Sequence, residues 1–162
     1  EKALYPIIIA SQTIPTTAIA PLFILWFGYS IWSKVLVTIL ITFFPITITV
    51  FDGFKASKRE IEEMLITYGA TKKDIFFILK LPTALPNFFS AIKMAVPLSV
   101  IGAAIAEWLG AQSGLGYFSK RMMTQLDGAG VFAPILLLSV AAMAAVWVVT
   151  LLEKRIIHWR NE

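Results

Sequence analysis

At 162 residues, 58% hydrophobic and only 15% charged, the chain lies far from the soluble average of about 45–50% apolar and about 25% charged, which argues against a helix-rich soluble core and for a membrane protein. It contains no cysteine, so disulfides, thiolate catalysis and cysteine metal sites are excluded. The net charge of +4 does not point to nucleic acid, because the positive residues gather in Lys55 to Lys80 and in Lys154 to Arg160, as the flanks of membrane spans do.

In chain order, the start Glu1-Lys2-Ala3 shows neither a basic n-region nor a cleavage site, and the expectation is a chain that lacks its first one or two spans. Ala3 to Ser33 is uncharged but too long for one untilted crossing, so a break is expected near "SQTIPTT". Ser11, Gln12, Thr13, Thr16 and Thr17 in that tract are polar at membrane depth. They are candidates to line a solute path, with hydrogen bonding between helices as an equal alternative. Val35 to Phe51 forms the next span, within the roughly 17–25 residues needed to cross a bilayer.

Residues 57–81 interrupt the apolar runs. Ser57-Lys58-Arg59-Glu60 has capping-box spacing and predicts a helix start. Ile61, Met64, Leu65 and Tyr68 then follow at i, i+3, i+4 and i+7 as one apolar stripe, with Glu60, Glu62 and Glu63 at the amino end favoured by the helix dipole. Gly69 predicts a left-handed helix end. Thr71-Lys72-Lys73-Asp74 repeats the capping pattern in weaker form and opens a second helix that Pro82 is expected to limit. The pattern alone leaves two readings level: a helix lying on the membrane interface, or a docking element inserted in a groove on a partner protein.

A further span runs from Ala84 to Trp108, interrupted by Lys93, whose long stem is expected to snorkel toward the headgroups. Small residues in "IGAAIA" (Ile101 to Ala106) and "SVAAMAA" (Ser139 to Ala145) predict close helix packing. Glu107 and Trp108 end that span and Gln112 lies just beyond, candidates for an outer gate or a protein contact, against the plainer reading of an interfacial Trp and a solvated Glu. Gly110, Gly114 and Gly116 shape the loop Leu109 to Gly130. Val131 to Leu152 is the last span, followed by a basic tail in which His158 reads as an interfacial anchor. Nine lysines and arginines on the side of residues 57–81 face three (Lys34, Lys120, Arg121) on the other, which places that segment and the C-terminus in the cytoplasm. No linker or internal repeat divides the chain.

Glu63-Met64-Leu65, three residues, Gly69, nine residues, then Leu79-Lys80-Leu81-Pro82 resembles the cytoplasmic signature of the membrane-spanning permeases of binding-protein-dependent ABC importers, Glu-Ala-Ala, three residues, Gly, nine residues, Ile-x-Leu-Pro. Met64 and Leu65 depart from the two alanines. "SQTIPTTAIAPLFILWFGYSIWSK", "FFPITITVFDGF" and "AEWLGAQSGLGYF" look like the branch importing nitrate, sulfonates, taurine and thiamine pyrimidine precursors, and the last of these with residues 84–111 looks closest to members handling pyrimidines or riboflavin.

The resemblance implies an all-α polytopic membrane bundle of the type I ABC importer permease fold, multi-pass in a bacterial or archaeal cytoplasmic membrane. Residues 57–81 are then the coupling segment. Glu63, Met64, Leu65, Gly69, Ala70 and Thr71 lie at the surface of a separate ATPase, which binds ATP and Mg. A second permease subunit, most simply another copy, and an extracytoplasmic substrate-binding protein complete the implied assembly in the lipid bilayer. No cofactor is expected on this chain itself: no G-x-x-x-x-G-K-[ST] phosphate loop occurs in it, and no enzymatic activity is expected of it. The rival readings are a secondary transporter or channel, which would show intramembrane acids coupled to ions, and a membrane enzyme, which would need a constellation of His, Cys, Asp or Ser.

Overall fold

The computed structural model describes residues 15–158, and there the chain is helical, with no strand among the described residues. Among the described residues seven α-helices follow one another: α1 (Thr16–Phe27), α2 (Ile31–Lys55), α3 (Arg59–Thr67), α4 (Lys72–Ile75), α5 (Leu81–Gly110), α6 (Leu115–Thr124) and α7 (Gly128–Ile156). A π-helical turn, Phe76–Lys80, joins α4 to α5 without a break. Among the described residues three stretches are long and apolar enough to cross a membrane: Ile31–Lys55, Lys72–Gly110 and Gly128–Ile156.

The expected break near "SQTIPTT" coincides with a helix start, and the end of the first apolar run is corrected. Helix α1 starts at Thr16, after the extended Pro15 and within the quoted tract, but it is 12 residues long, about 18 Å at 1.5 Å per residue, which is too short to cross. The boundary with α2 falls at Gly28, whose φ of +66° ends the helix, and not at Lys34. A lysine with helical neighbours on both sides costs little in the first turn of a span, because its ammonium reaches the headgroup region.

Two compact units account for the chain, and their boundaries fall inside α2, α5 and α7. In the unit made of residues 1–44 and 96–145, Ala20, Val37 and Ala106 form a buried cluster, with Phe23 and Ile41 packed against it. The small-residue expectation holds on α5: a Cβ at Gly102 would stand 3.1 Å from Ile41 Cδ1 and 3.4 Å from Thr38 Cα, so the α2 backbone comes as near as only a glycine allows. On α7, Ser139, Ala141, Met143 and Ala144 are exposed in the single chain, while Ser139 and Ala142 line a cavity with Ile101 and Ala104 of α5. In the unit made of residues 45–95 and 146–162, the buried side chains are Ile75, Ala84, Phe89, Ala91, Ala95 and Ile157.

Pro82 does not end the second helix of residues 57–81. A proline in a regular α-helix clashes with the carbonyl four residues back. Here the turn widens over Phe76–Lys80, with the Leu81 amide donating to the Phe76 carbonyl, and the helix runs on through Pro82 as α5. Single π-turns inside α-helices are commonly retained where function uses them.

Candidate coupling segment and its surroundings

Residues 57–81 lie in one unit. Helix α3 does not start on a capping box: its N-cap is Lys58, with no side-chain cap, and the Ser57 hydroxyl instead donates to the Phe54 carbonyl at 3.3 Å. One residue of offset is the cause. With Lys58 as N-cap the third helical position is Ile61, which has no carboxylate to reach back, while the acids are taken elsewhere. Glu63 bridges Arg59 at 2.8 Å, and Glu62 bridges Lys80 at 3.0 Å, tying α3 to the π-turn.

The far end of α3 is as expected, and more complete. Gly69 has φ +85°, its amide donates to the Ile66 carbonyl at 2.9 Å, and the Ala70 amide donates to the Leu65 carbonyl at 3.0 Å. These two bonds are the paired closure of a Schellman motif, which satisfies carbonyls the helix would otherwise leave open. Two residues on, the pattern at Thr71 that reads as the weaker box in sequence is a full one: the Asp74 amide donates to the Thr71 hydroxyl at 3.3 Å and the Thr71 amide donates to the Asp74 carboxylate at 2.8 Å. Helix end, turn and helix start are therefore held at successive points, by the backbone bonds of Gly69 and Ala70 and by the side chains of Thr71 and Asp74.

The locked segment presents apolar side chains outward. Met64 is 52% and Tyr68 82% exposed, Ile61 and Ile66 are exposed as well, and Leu65 is half-buried. Thr71 is exposed and Ala70 half-buried. Phe76 stacks on Phe54 at 5.9 Å between ring centroids, while Phe77 and Ile78 remain exposed.

Lys93 is a correction. Its ammonium does not snorkel but meets the Glu153 carboxylate at 2.6 Å, with side-chain exposures of 29% and 13%. A lysine inside an apolar span signals that a partner is needed; Glu153 was hidden because it falls just past the last uncharged run and reads as part of the basic tail.

Of the solute-path candidates, Ser11, Gln12 and Thr13 lie outside the described residues, and Thr16 and Thr17 open the first turn of α1. The three outer candidates lie in the other unit. Glu107 is not simply solvated: its carboxylate accepts the Gly116 amide at 2.7 Å, closing the N-terminus of α6, a helix that the glycine-rich loop did not announce. Trp108 and Gln112 are exposed and share a cavity of about 440 Å³ with Tyr29, Tyr117, Lys120 and Arg121. Among the described residues no group of three or more His, Cys, Asp or Glu is placed to hold a metal ion.

Comparison with known proteins places this architecture. Residues 1–158 match the family described as binding-protein-dependent transport system inner membrane component. Over its whole length the chain is 56% identical to the formylaminopyrimidine transport permease protein ThiX of Halalkalibacterium halodurans, covering 65% of that protein. It is 35% identical over 98% of its length to the riboflavin transport system permease protein RibX of Chloroflexus aurantiacus, covering 59%. To the putative aliphatic sulfonates transport permease protein SsuC of Bacillus subtilis it is 33% identical over 99%, covering 58%. The chain thus spans between a half and two thirds of the length of these relatives. It belongs to the family of binding-protein-dependent transport system inner membrane components and has their type I ABC permease fold.

Proposed function

We propose that this chain forms the membrane-spanning permease portion of an ATP-driven importer for a small organic solute, and that residues 57–81 are the part a separate ATPase grips. The observation that carries the reading is the locked α3–Gly69–Thr71 unit with Met64 and Tyr68 facing outward: a short rigid helix with exposed anchors at helical spacing fits a groove on a partner. ATP and Mg are bound by that partner. A second copy of the permease, an extracytoplasmic binding protein and a cytoplasmic C-terminus complete the arrangement, the last supported by the excess of Lys and Arg around residues 57–81 and 154–160. The 56% identity to a formylaminopyrimidine permease favours a substituted pyrimidine as the solute over a sulfonate or riboflavin.

The absence of cysteine makes the test direct. Thr67→Cys, at an exposed position on α3, is expected to crosslink to the ATPase within the intact complex, in a yield that changes with ATP, while Gln112→Cys gives none. Failure of Thr67→Cys to crosslink in a complex shown to be assembled would falsify the docking role and return the segment to the membrane interface.

A further inference from the structure

The cavity at the end of α5 has a chemistry that the coupling role leaves unused. It lies wholly within one unit, where the apolar α5 gives way to the shorter α6. Tyr29, Trp108 and Tyr117 supply aromatic walls, Gln112 an amide, and Lys120 and Arg121 two cations, with no carboxylate in the lining. The two acids nearest along the chain are both engaged: Glu107 accepts the Gly116 amide and Asp127 accepts the Gly130 amide at 3.0 Å. Lys120 donates to the Trp108 carbonyl, answering one of the open carbonyls at the helix end. Arg121 is left. Its guanidinium has no ion-pair or hydrogen-bond partner among the described residues.

Aromatic residues mixed with Lys and Arg at the end of a span mark headgroup depth. A planar guanidinium offers two parallel donors that match a phosphate or carboxylate in a way an ammonium does not. We infer that this cavity is a binding site for a phosphate-bearing anion, with Arg121 as the anchoring cation and the Tyr29 and Tyr117 hydroxyls and the Gln112 amide as neighbouring donors. The same chemistry is offered by the headgroup of an anionic lipid and by free phosphate, and the inference needs only that the chain sits in a membrane, whatever solute it carries.

The test uses the intact permease in nanodiscs of phosphatidylcholine, alone or mixed with phosphatidylglycerol. Lipid co-purifying after mild extraction is counted by native mass spectrometry, and inorganic phosphate binding is measured in the phosphatidylcholine discs. A lipid source predicts several-fold enrichment of phosphatidylglycerol that millimolar phosphate does not displace; a soluble source predicts saturable phosphate binding in the neutral discs. Either is expected to be lost in Arg121→Gln, partly kept in Arg121→Lys and unchanged in Lys154→Gln. Equal retention of lipid and phosphate by Arg121→Gln and the native protein overturns the site. So does an Arg121→Gln variant that keeps both ligands and loses only capture of the binding protein, which assigns the arginine to a protein contact instead.

Discussion

Gly69 shows what one residue does for the segment 57–81. A Cβ there would meet nothing within 4 Å, so Gly69→Ala introduces no clash and acts through φ +85° alone, at about 1–2 kcal/mol. The expected result is a complex that still assembles but whose ATPase stimulation by solute falls several-fold, with Gly69→Asn closer to the native protein because asparagine tolerates that region. The Lys93–Glu153 pair is a larger effect at the same scale. Glu153→Gln leaves a largely desolvated ammonium without its counter-charge, a loss of about 3–5 kcal/mol for fully buried pairs and toward the lower end here, since Lys93 keeps 29% side-chain exposure. A thermal-shift assay in detergent is expected to show Glu153→Gln melting well below the double variant Lys93→Met/Glu153→Gln; equal melting temperatures would show the pair to be unimportant. The turn at Gly69 was legible because only glycine settles there readily. The capping at Ser57 and Thr71 was ranked in the wrong order because spacing alone does not fix which residue is the N-cap, and the pairings of Glu62 and Glu63 come from residues up to 18 positions away.

At the scale of elements, the π-turn decides how α3 and α4 are presented. It holds one residue more than an α-helical turn, so removing Ile78 returns it to α-helix and sets the Pro82 ring against the carbonyl four residues before it. Such a deletion is expected to leave membrane insertion and yield near native levels, as followed by fluorescence-detected size exclusion, while abolishing the nucleotide-sensitive crosslink from Thr67→Cys. An unchanged crosslink would show the turn to be a passive accommodation of Pro82. The sequence carried the proline but not the device that absorbs it, because propensity rules treat proline as a stop and contain no term for a widened turn. Helix α6 escaped for a similar reason. It is short and mixes apolar with polar residues, its N-cap is Gly114 without a side-chain cap, and what closes it is Glu107 from another helix.

For the whole molecule, the long apolar runs were legible because crossing a bilayer demands length and hydrophobicity that no soluble helix needs, and the signature at Glu63 to Pro82 because its residues keep a fixed spacing along the chain. Which polar side chains meet solute was not legible, since hydrogen bonding between helices calls for the same residue types. The importer reading makes its own demand at this scale. In proteoliposomes holding the complete transporter, uptake of the proposed solute is expected to require ATP hydrolysis and to survive a protonophore. Uptake that collapses with the proton gradient and ignores ATP would move the protein to the secondary transporters.

The Lys93–Glu153 bridge has a consequence for how the protein is made. Its two members are 60 residues apart, so at about 5–20 residues per second of synthesis the lysine is added to the chain about 3 to 12 seconds before the glutamate. During that interval α5 must enter the bilayer with an unmatched ammonium, against an insertion penalty of about 2.5–3.5 kcal/mol for a charge at the middle of a span. Snorkelling, the wrong description of the finished protein, is what this nascent helix must do until α7 arrives. Stalling translation between residues 110 and 153 should therefore leave α5 shallow and open to proteolysis, and release of the stall should draw it to its final depth.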